Sequence, residues 1–95
     1  MSVALCTLTL RLPENHSLKG KRRVIKSIEQ RLRNRFNVSV AEVEHNEAWQ
    51  LAGLAVCAAS NSETHASEIV SKAVAYIEEL RLDVEILEQE IEIVA

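Results

Sequence analysis

The sequence is poor in the residues that most often mark a catalytic, metal-binding or linker-rich protein. Its 95 residues include two cysteines, two glycines, one proline and three aromatic side chains. Cys6 and Cys57 share no CxxC spacing, which argues against a zinc site or a thiol-exchange motif, and we expect both thiols to be buried in a reducing compartment. With so little glycine and proline the chain has no evident linker, so residues 1–95 are predicted to form one domain.

Long apolar runs are also absent. Arg11 and Glu14 interrupt the apolar stretch that begins at Val3, which argues against a signal peptide. No uninterrupted apolar segment reaches the roughly 20 residues that a transmembrane helix needs. We therefore expect a cytoplasmic protein that makes no membrane contact.

Charges of both signs are present but unevenly placed. Residues 1–40 carry nine Lys or Arg against two acids, a net charge of +7, whereas residues 41–95 carry two against twelve, a net charge of −10. The stretch 17–36 alone holds eight basic side chains and a single acid, Glu29. Such a division can attract an anionic partner to one side of the molecule and repel it from the other.

The spacing of apolar residues predicts four strands and two helices. Strands are predicted over 3–12, 38–44, 49–59 and 84–94. The last slips out of alternation between Ile86 and Leu87, which predicts a bulge or an irregular start of the strand. Helical spacing follows Ser17, a typical N-cap residue, and a Ser-x-x-Glu capping box that begins at Ser60. The order βαββαβ predicts an α+β, ferredoxin-like fold, in which a four-stranded antiparallel sheet carries both helices on one face.

The first predicted helix combines a core stripe with a basic face. At about 100° per residue, five cations fall on the side opposite the apolar residues Val24 to Phe36. Lys21 joins three of them in the first turn, beside free backbone N–H groups and the positive end of the helix dipole. Solvated helix faces usually mix charges of both signs, and here Glu29 is the single acid that could pair with the cations. The candidate anion-binding residues are Lys19, Lys21, Arg22, Arg23, Lys26 and Arg33.

The open face of the predicted sheet is a poor platform for RNA. Sheets of this kind bind RNA by stacking bases on aromatic side chains, and the first strand has none. Trp49 is expected to anchor the start of its strand, and a binding role is the less favoured alternative. If nucleic acid is bound, the basic helix face is therefore the surface that binds it. Alternation sends five acids outward, where they would repel phosphate: Glu42, Glu44, Glu88, Glu90 and Glu92.

Other kinds of site have weaker support. Gly20-Lys21 lacks the upstream glycine of a phosphate-binding loop, which argues against nucleotide hydrolysis. His16 and His45 are expected at one end of the fold and His65 at the other, and no metal-ligand spacing joins them. No Ser-His-Asp or Cys-His arrangement can be built. We therefore predict a non-enzymatic protein with no metal, no cofactor and no catalytic residue.

Three motifs carry a resemblance to a known family. The runs "SLKGKR", "RLRNRFNVSVAEV" and "WQLAGLAV" resemble the YlxP-like family of small bacterial proteins, whose function is unknown. The resemblance implies a ferredoxin-like fold and genes that often lie among those for transcription termination, translation initiation and ribosome maturation. It implies no catalytic residues. Gly20 departs from the family pattern, in which Glu commonly follows "SLK", and the loss of that acid weakens the capping of the helix.

Together these observations predict a non-enzymatic binding protein that contacts RNA or a ribosomal particle through the basic face of its first helix. The alternative is a homodimeric or larger interaction module that uses the open sheet face or an edge strand and has no nucleic-acid role. A metal-dependent or nucleotide-dependent enzyme is a distant third.

Overall fold

A computed structural model describes residues 1–80 and 83–95 of the chain, and these residues fold in the order βαββαβ. The predicted α+β, ferredoxin-like fold, with an antiparallel sheet and two helices, is confirmed. The elements are β1 Ser2–Arg11, α1 Leu18–Arg35, β2 Ser39–Glu42, β3 Leu51–Ser60, α2 Glu63–Leu80 and β4 Glu85–Ile93.

Strand β1 lies inside the sheet, between β3 and β4, and the strand order is β2-β3-β1-β4. Its even-numbered residues are buried, and its odd-numbered residues from Val3 to Thr9 are partly exposed. Successive side chains of a strand point to opposite faces. The buried set of β1, which lies beneath the helices, is Ser2, Ala4, Cys6, Leu8 and Leu10.

A bulge interrupts the pairing of β1 with β4. Thr9 lies opposite Glu88 and the next residue, Leu10, lies opposite Ile86, so Leu87 is the extra residue of β4. About half of Leu87 is exposed. The slip in apolar alternation at this point therefore predicts the bulge correctly, because one added residue reverses the face that each following side chain occupies.

Helix α1 begins where the sequence predicts. The hydroxyl of Ser17 accepts a hydrogen bond from the backbone N–H of Gly20 at 2.9 Å, the usual contact of an N-cap. Ile25, Ile28 and Leu32 are fully buried, and Val24 and Phe36 pack against the same core. The apolar stripe thus holds α1 on the sheet, where the helix approaches β2 at one edge.

Helix α2 begins two residues later than its predicted capping box. The hydroxyl of Ser62 accepts a hydrogen bond from the backbone N–H of His65 at 3.2 Å, which makes Ser62 the N-cap. Ser60 instead contacts the side chain of His65, with 2.9 Å between Oγ and Nδ1. The capping box predicted from Ser60 to Glu63 is therefore wrong, because β3 continues to Ser60.

Candidate nucleic-acid interface

Four cations on the outer face of α1 are exposed to solvent. Lys19, Arg22, Arg23 and Lys26, which we call the α1 basic stripe, are exposed, and none makes an ion pair with another residue that the structure describes. Their spacing of three, four and seven residues places them on one side of the helix over about 10 Å. The stripe therefore presents positive charge to solvent without internal neutralisation.

Lys21 does not belong to this surface, contrary to the prediction. Its side chain is buried, with 1% of the residue exposed. The ammonium donates hydrogen bonds to the carbonyl oxygens of His45 at 2.8 Å and Leu51 at 3.2 Å, and it lies 3.4 Å from a carboxylate oxygen of Glu42. A buried ammonium needs such partners. Lys21 therefore ties α1 to both ends of the segment between β2 and β3 and has no free donor to offer a ligand.

Glu42 also lies elsewhere than predicted. It is opposite Leu54, a buried residue of β3, so its side chain is on the helix face of the sheet and not on the open face. There it meets the ammonium of Lys21. The prediction that Glu42 points outward is wrong, since β2 places Val40 and Glu42 on the face beneath α1.

Arg33 lies beside the stripe and is already engaged by two groups. Its guanidinium donates a hydrogen bond to the carbonyl oxygen of Val40 at 2.6 Å and forms an ion pair with Glu29 at 3.2 Å. In an antiparallel pair, successive residues direct their backbone N–H and C=O groups alternately toward and away from the partner strand. The N–H of Val43 donates to the carbonyl of Gly53 in β3, so the carbonyl of Val40, three residues earlier, points away from β3 to the free edge of β2. Arg33 thus covers an edge group of the sheet, and about half of its side chain remains exposed.

Trp49 is exposed, contrary to the prediction that it anchors a strand. Strand β3 begins two residues later, at Leu51, and 55% of Trp49 is accessible to solvent. Its backbone carbonyl accepts a hydrogen bond of 2.6 Å from the side-chain amide of Asn15, in the loop that leads into α1. Trp49 therefore lies next to the start of the basic helix, a contact that no local sequence pattern encodes.

The opposite edge of the molecule is acidic. Glu88, Glu90 and Glu92 pair with Thr9, Thr7 and Leu5, which places these three carboxylates in a row on the open face of the sheet, as predicted. Helix α2, which packs on β1, β3 and β4, adds exposed acids. The basic N-terminal part and the acidic C-terminal part of the sequence thus lie at opposite edges of the sheet. The basic helix α1 lies at the β2 edge, and the acidic elements α2 and β4 lie at the other edge.

The histidines and carboxylates do not converge on a metal centre. His16 lies in the loop before α1, and His45 lies in the segment between β2 and β3, to which Asn15 and Lys21 donate hydrogen bonds. His65 instead contacts Ser60 near the start of α2. Within residues 1–80 and 83–95, no group of three or more His, Cys, Asp or Glu side chains is arranged to hold a metal ion.

In the same part of the chain, no helix is long and apolar enough to span a bilayer.

The sheet order and its two helices define a small ferredoxin-like α+β protein with a basic helix at one edge and an acidic strand at the other. The chain belongs to the family described as "Protein of unknown function (DUF503)", whose model matches residues 3–91. It is similar to the "Uncharacterized protein YlxP" of Bacillus subtilis (strain 168), with 36% identity over 62 residues, which cover 65% of this chain and 67% of that protein. The resemblance to YlxP-like proteins is confirmed.

Proposed function

We propose that this protein is a non-enzymatic, cytoplasmic binding protein that contacts RNA, free or within a ribosomal particle, through the α1 basic stripe. The observation that carries the proposal is the exposure of four cations with no carboxylate partner among the described residues. The gene neighbourhood implied by the family resemblance points in the same direction.

Phosphate is the anion that suits this surface best. A row of cations on one helix face can follow a row of phosphates and gain free energy from released counterions, and Arg can bind a phosphate through two parallel hydrogen bonds. If the stripe neutralises three or four phosphates, the logarithm of the binding constant should fall with the logarithm of salt concentration with a slope of about −2 to −3. The acidic edge formed by α2 and β4 would repel the same polyanion and orient the protein on it.

The test is a titration of structured ribosomal RNA fragments at several salt concentrations. The variant Lys19→Glu/Arg22→Glu/Lys26→Glu reverses three of the four stripe cations and leaves unchanged Lys21 and Arg33, whose contacts are structural. Its matched control, Arg11→Glu/Arg31→Glu/Lys72→Glu, reverses three exposed cations outside the stripe, so both variants have the same net charge.

We expect the stripe variant to lose most of its affinity and about two units of salt slope, and the control to stay close to the wild type. Equal binding by the two variants would show that net charge alone, and not the stripe, attracts the RNA. Co-sedimentation of the wild type with ribosomal subunits from a lysate then tests whether the partner is a ribosomal particle.

A second candidate function is self-association through β4. Four of the six large apolar residues that the structure shows as exposed lie on β4 or just after it: Leu87, Ile91, Ile93 and Val94. β4 is an edge strand, which can pair with the edge of a second copy. Sedimentation equilibrium of the wild type and of Ile91→Lys/Ile93→Lys tests this function, since a dimer held by β4 should dissociate in the variant.

A further inference from the structure

The backbone that carries the exposed indole of Trp49 is held at a defined place. Single exposed apolar side chains are common and need no explanation by themselves. The backbone at Trp49 and at the two residues that follow it, however, is fixed by side-chain hydrogen bonds. The amide of Asn15 donates to the carbonyl of Trp49 at 2.6 Å and to that of Ser17, the N-cap of α1, at 2.7 Å.

The residue after Trp49 is fixed in the same way. The amide of Gln50 donates to the carbonyl oxygens of Pro13 at 3.3 Å and Asn15 at 3.2 Å, and Leu51 accepts from buried Lys21. The backbone at Trp49 is therefore tied to the loop before α1 and to its first turn. A ligand that stacks on this indole would pay little for ordering the backbone that carries it.

Gly20 makes room for this arrangement. A Cβ atom at Gly20 would collide with the side-chain oxygen of Asn15, the residue whose amide nitrogen donates to the carbonyls of Trp49 and Ser17. In this chain, the missing side chain lets Asn15 lie against the first turn and link it to Trp49.

The charges around Trp49 define which part of a ligand can lie there. Lys19, Arg22 and Arg23 start the α1 basic stripe close to the Ser17 end of this hydrogen-bond network, and they are free to bind phosphate. Glu44 and Glu47, in the segment that carries Trp49, are exposed and would repel phosphate. A nucleotide meets both demands, because its phosphate is anionic and its base presents an uncharged aromatic face.

We propose that Trp49 is a base-stacking residue, so that the α1 basic stripe takes RNA with unpaired nucleotides, with phosphates on the helix and a base on the indole. The inference rests on the proposed function and adds the class of RNA. A base inside a duplex is stacked between its neighbours and cannot lie on an indole, whereas bases in loops and single strands can.

The chain contains one tryptophan, so its fluorescence reports on this site alone. The probes are poly(U), whose bases are largely unstacked, a blunt RNA duplex, and poly(Glu) as an anion without bases. Excitation at the red edge of tryptophan absorption avoids exciting the fluorescence of Tyr76. We expect poly(U) to quench and shift the Trp49 emission, and the duplex and poly(Glu) to leave it nearly unchanged.

Labelled RNA supplies the second readout. Trp49→Ala should weaken binding of poly(U) by roughly 5- to 100-fold and leave duplex binding unchanged, because stacking contributes about that factor per base. Trp49→Phe, which keeps an aromatic face, should recover most of the lost affinity. Since the indole is exposed, both variants should fold like the wild type, which circular dichroism can verify.

The outcomes separate this inference from the function on which it rests. Salt-dependent binding of both RNAs with an unchanged emission spectrum and no effect of Trp49→Ala would overturn base stacking and leave the stripe as the RNA-binding surface. Equal quenching by poly(Glu) would indicate an acidic protein as the partner and overturn the inference. Failure of the wild type to bind either RNA would remove both proposals.

Discussion

The ammonium of Lys21 and the carboxylate of Glu42 lie 3.4 Å apart between α1 and β2, and the two side chains are very differently exposed. Lys21 is almost fully buried, whereas about a quarter of the Glu42 side chain remains accessible. The ammonium also donates to the carbonyl oxygens of His45 and Leu51. Lys21 is therefore the centre of this contact, and Glu42 is one of several acceptors around it.

The first prediction follows from this asymmetry. Lys21→Met removes a buried donor that several part-buried acceptors share, so it should lower the free energy of unfolding by about 3 kcal/mol. Glu42→Gln should cost about 1 kcal/mol or less, because the ammonium keeps its carbonyl acceptors and the carboxylate is partly solvated in any case.

Urea denaturation followed by circular dichroism measures both changes. Lys19→Met is the matched control, because Lys19 lies two residues away and is exposed, and we expect a change within about 0.5 kcal/mol. If Lys21→Met were no more harmful than Lys19→Met, the buried position of Lys21 would be contradicted.

The second prediction concerns the start of α2. Ser62→Ala removes the hydroxyl that accepts from the N–H of His65, and it should cost about 1 kcal/mol. Ser60→Ala should cost less, since Ser60 contacts the imidazole of His65 and a single backbone N–H outside the helix. Thermal unfolding of the two variants compares them directly, and a larger loss for Ser60→Ala would restore the capping box predicted from the sequence.

Local patterns predicted most of the fold because the sheet and the helices impose short repeats. The slip between Ile86 and Leu87 revealed the bulge, since alternation depends only on neighbouring residues. The same reasoning could have located Lys21. It follows Leu18 by three residues and precedes Ile25 by four, so it occupies a core position of the helix, and its positive charge led to its assignment to the basic face.

The candidate site was predicted less well, because its decisive contacts join residues far apart in the chain. The contact of Asn15 with Trp49 crosses 34 positions, and that of Lys21 with His45 crosses 24. Periodicity identifies the face that a side chain occupies, but it does not show which backbone carbonyl it meets. The exposure of Trp49 and the engagement of Arg33 therefore required the structure.

The third prediction concerns the buried thiol of Cys6. Burial raises the pKa of Cys6 above its ordinary value of 9.0, and a hydrogen bond with the backbone of Glu90 opposes part of this rise. The unfolded chain therefore loses this proton at lower pH than the folded chain. The stability linked to Cys6 is fully present below pH 9.0 and is lost as the pH rises through the folded pKa.

The measurement is the free energy of unfolding of wild type and Cys6→Ala from neutral pH to above pH 9. The difference between the two proteins should shrink at alkaline pH, when the unfolded thiol ionises. Cys57→Ala is the control for general alkaline effects, because Cys57 is partly exposed on the open sheet face. A pH-independent difference between wild type and Cys6→Ala would contradict the prediction.

The fourth prediction separates the structural role of Arg33 from RNA binding. Arg33→Gln removes the charged hydrogen bond to Val40 and the ion pair with Glu29, and it should cost about 1 kcal/mol of stability, a modest value because the guanidinium is half-exposed. Arg22→Gln makes the same change in charge at an exposed, unpaired position and should leave stability unchanged within about 0.5 kcal/mol.

RNA affinity should rank these two variants in the opposite order. The guanidinium of Arg22 has its full charge available to a phosphate, whereas that of Arg33 is partly neutralised by its hydrogen bond to Val40 and its ion pair with Glu29. Denaturation and RNA titration of the same two proteins give both rankings. If Arg33→Gln weakened RNA binding more than Arg22→Gln and left the free energy of unfolding unchanged, Arg33 would belong to the binding surface. The proposed stabilising role of its contact with β2 would then be contradicted.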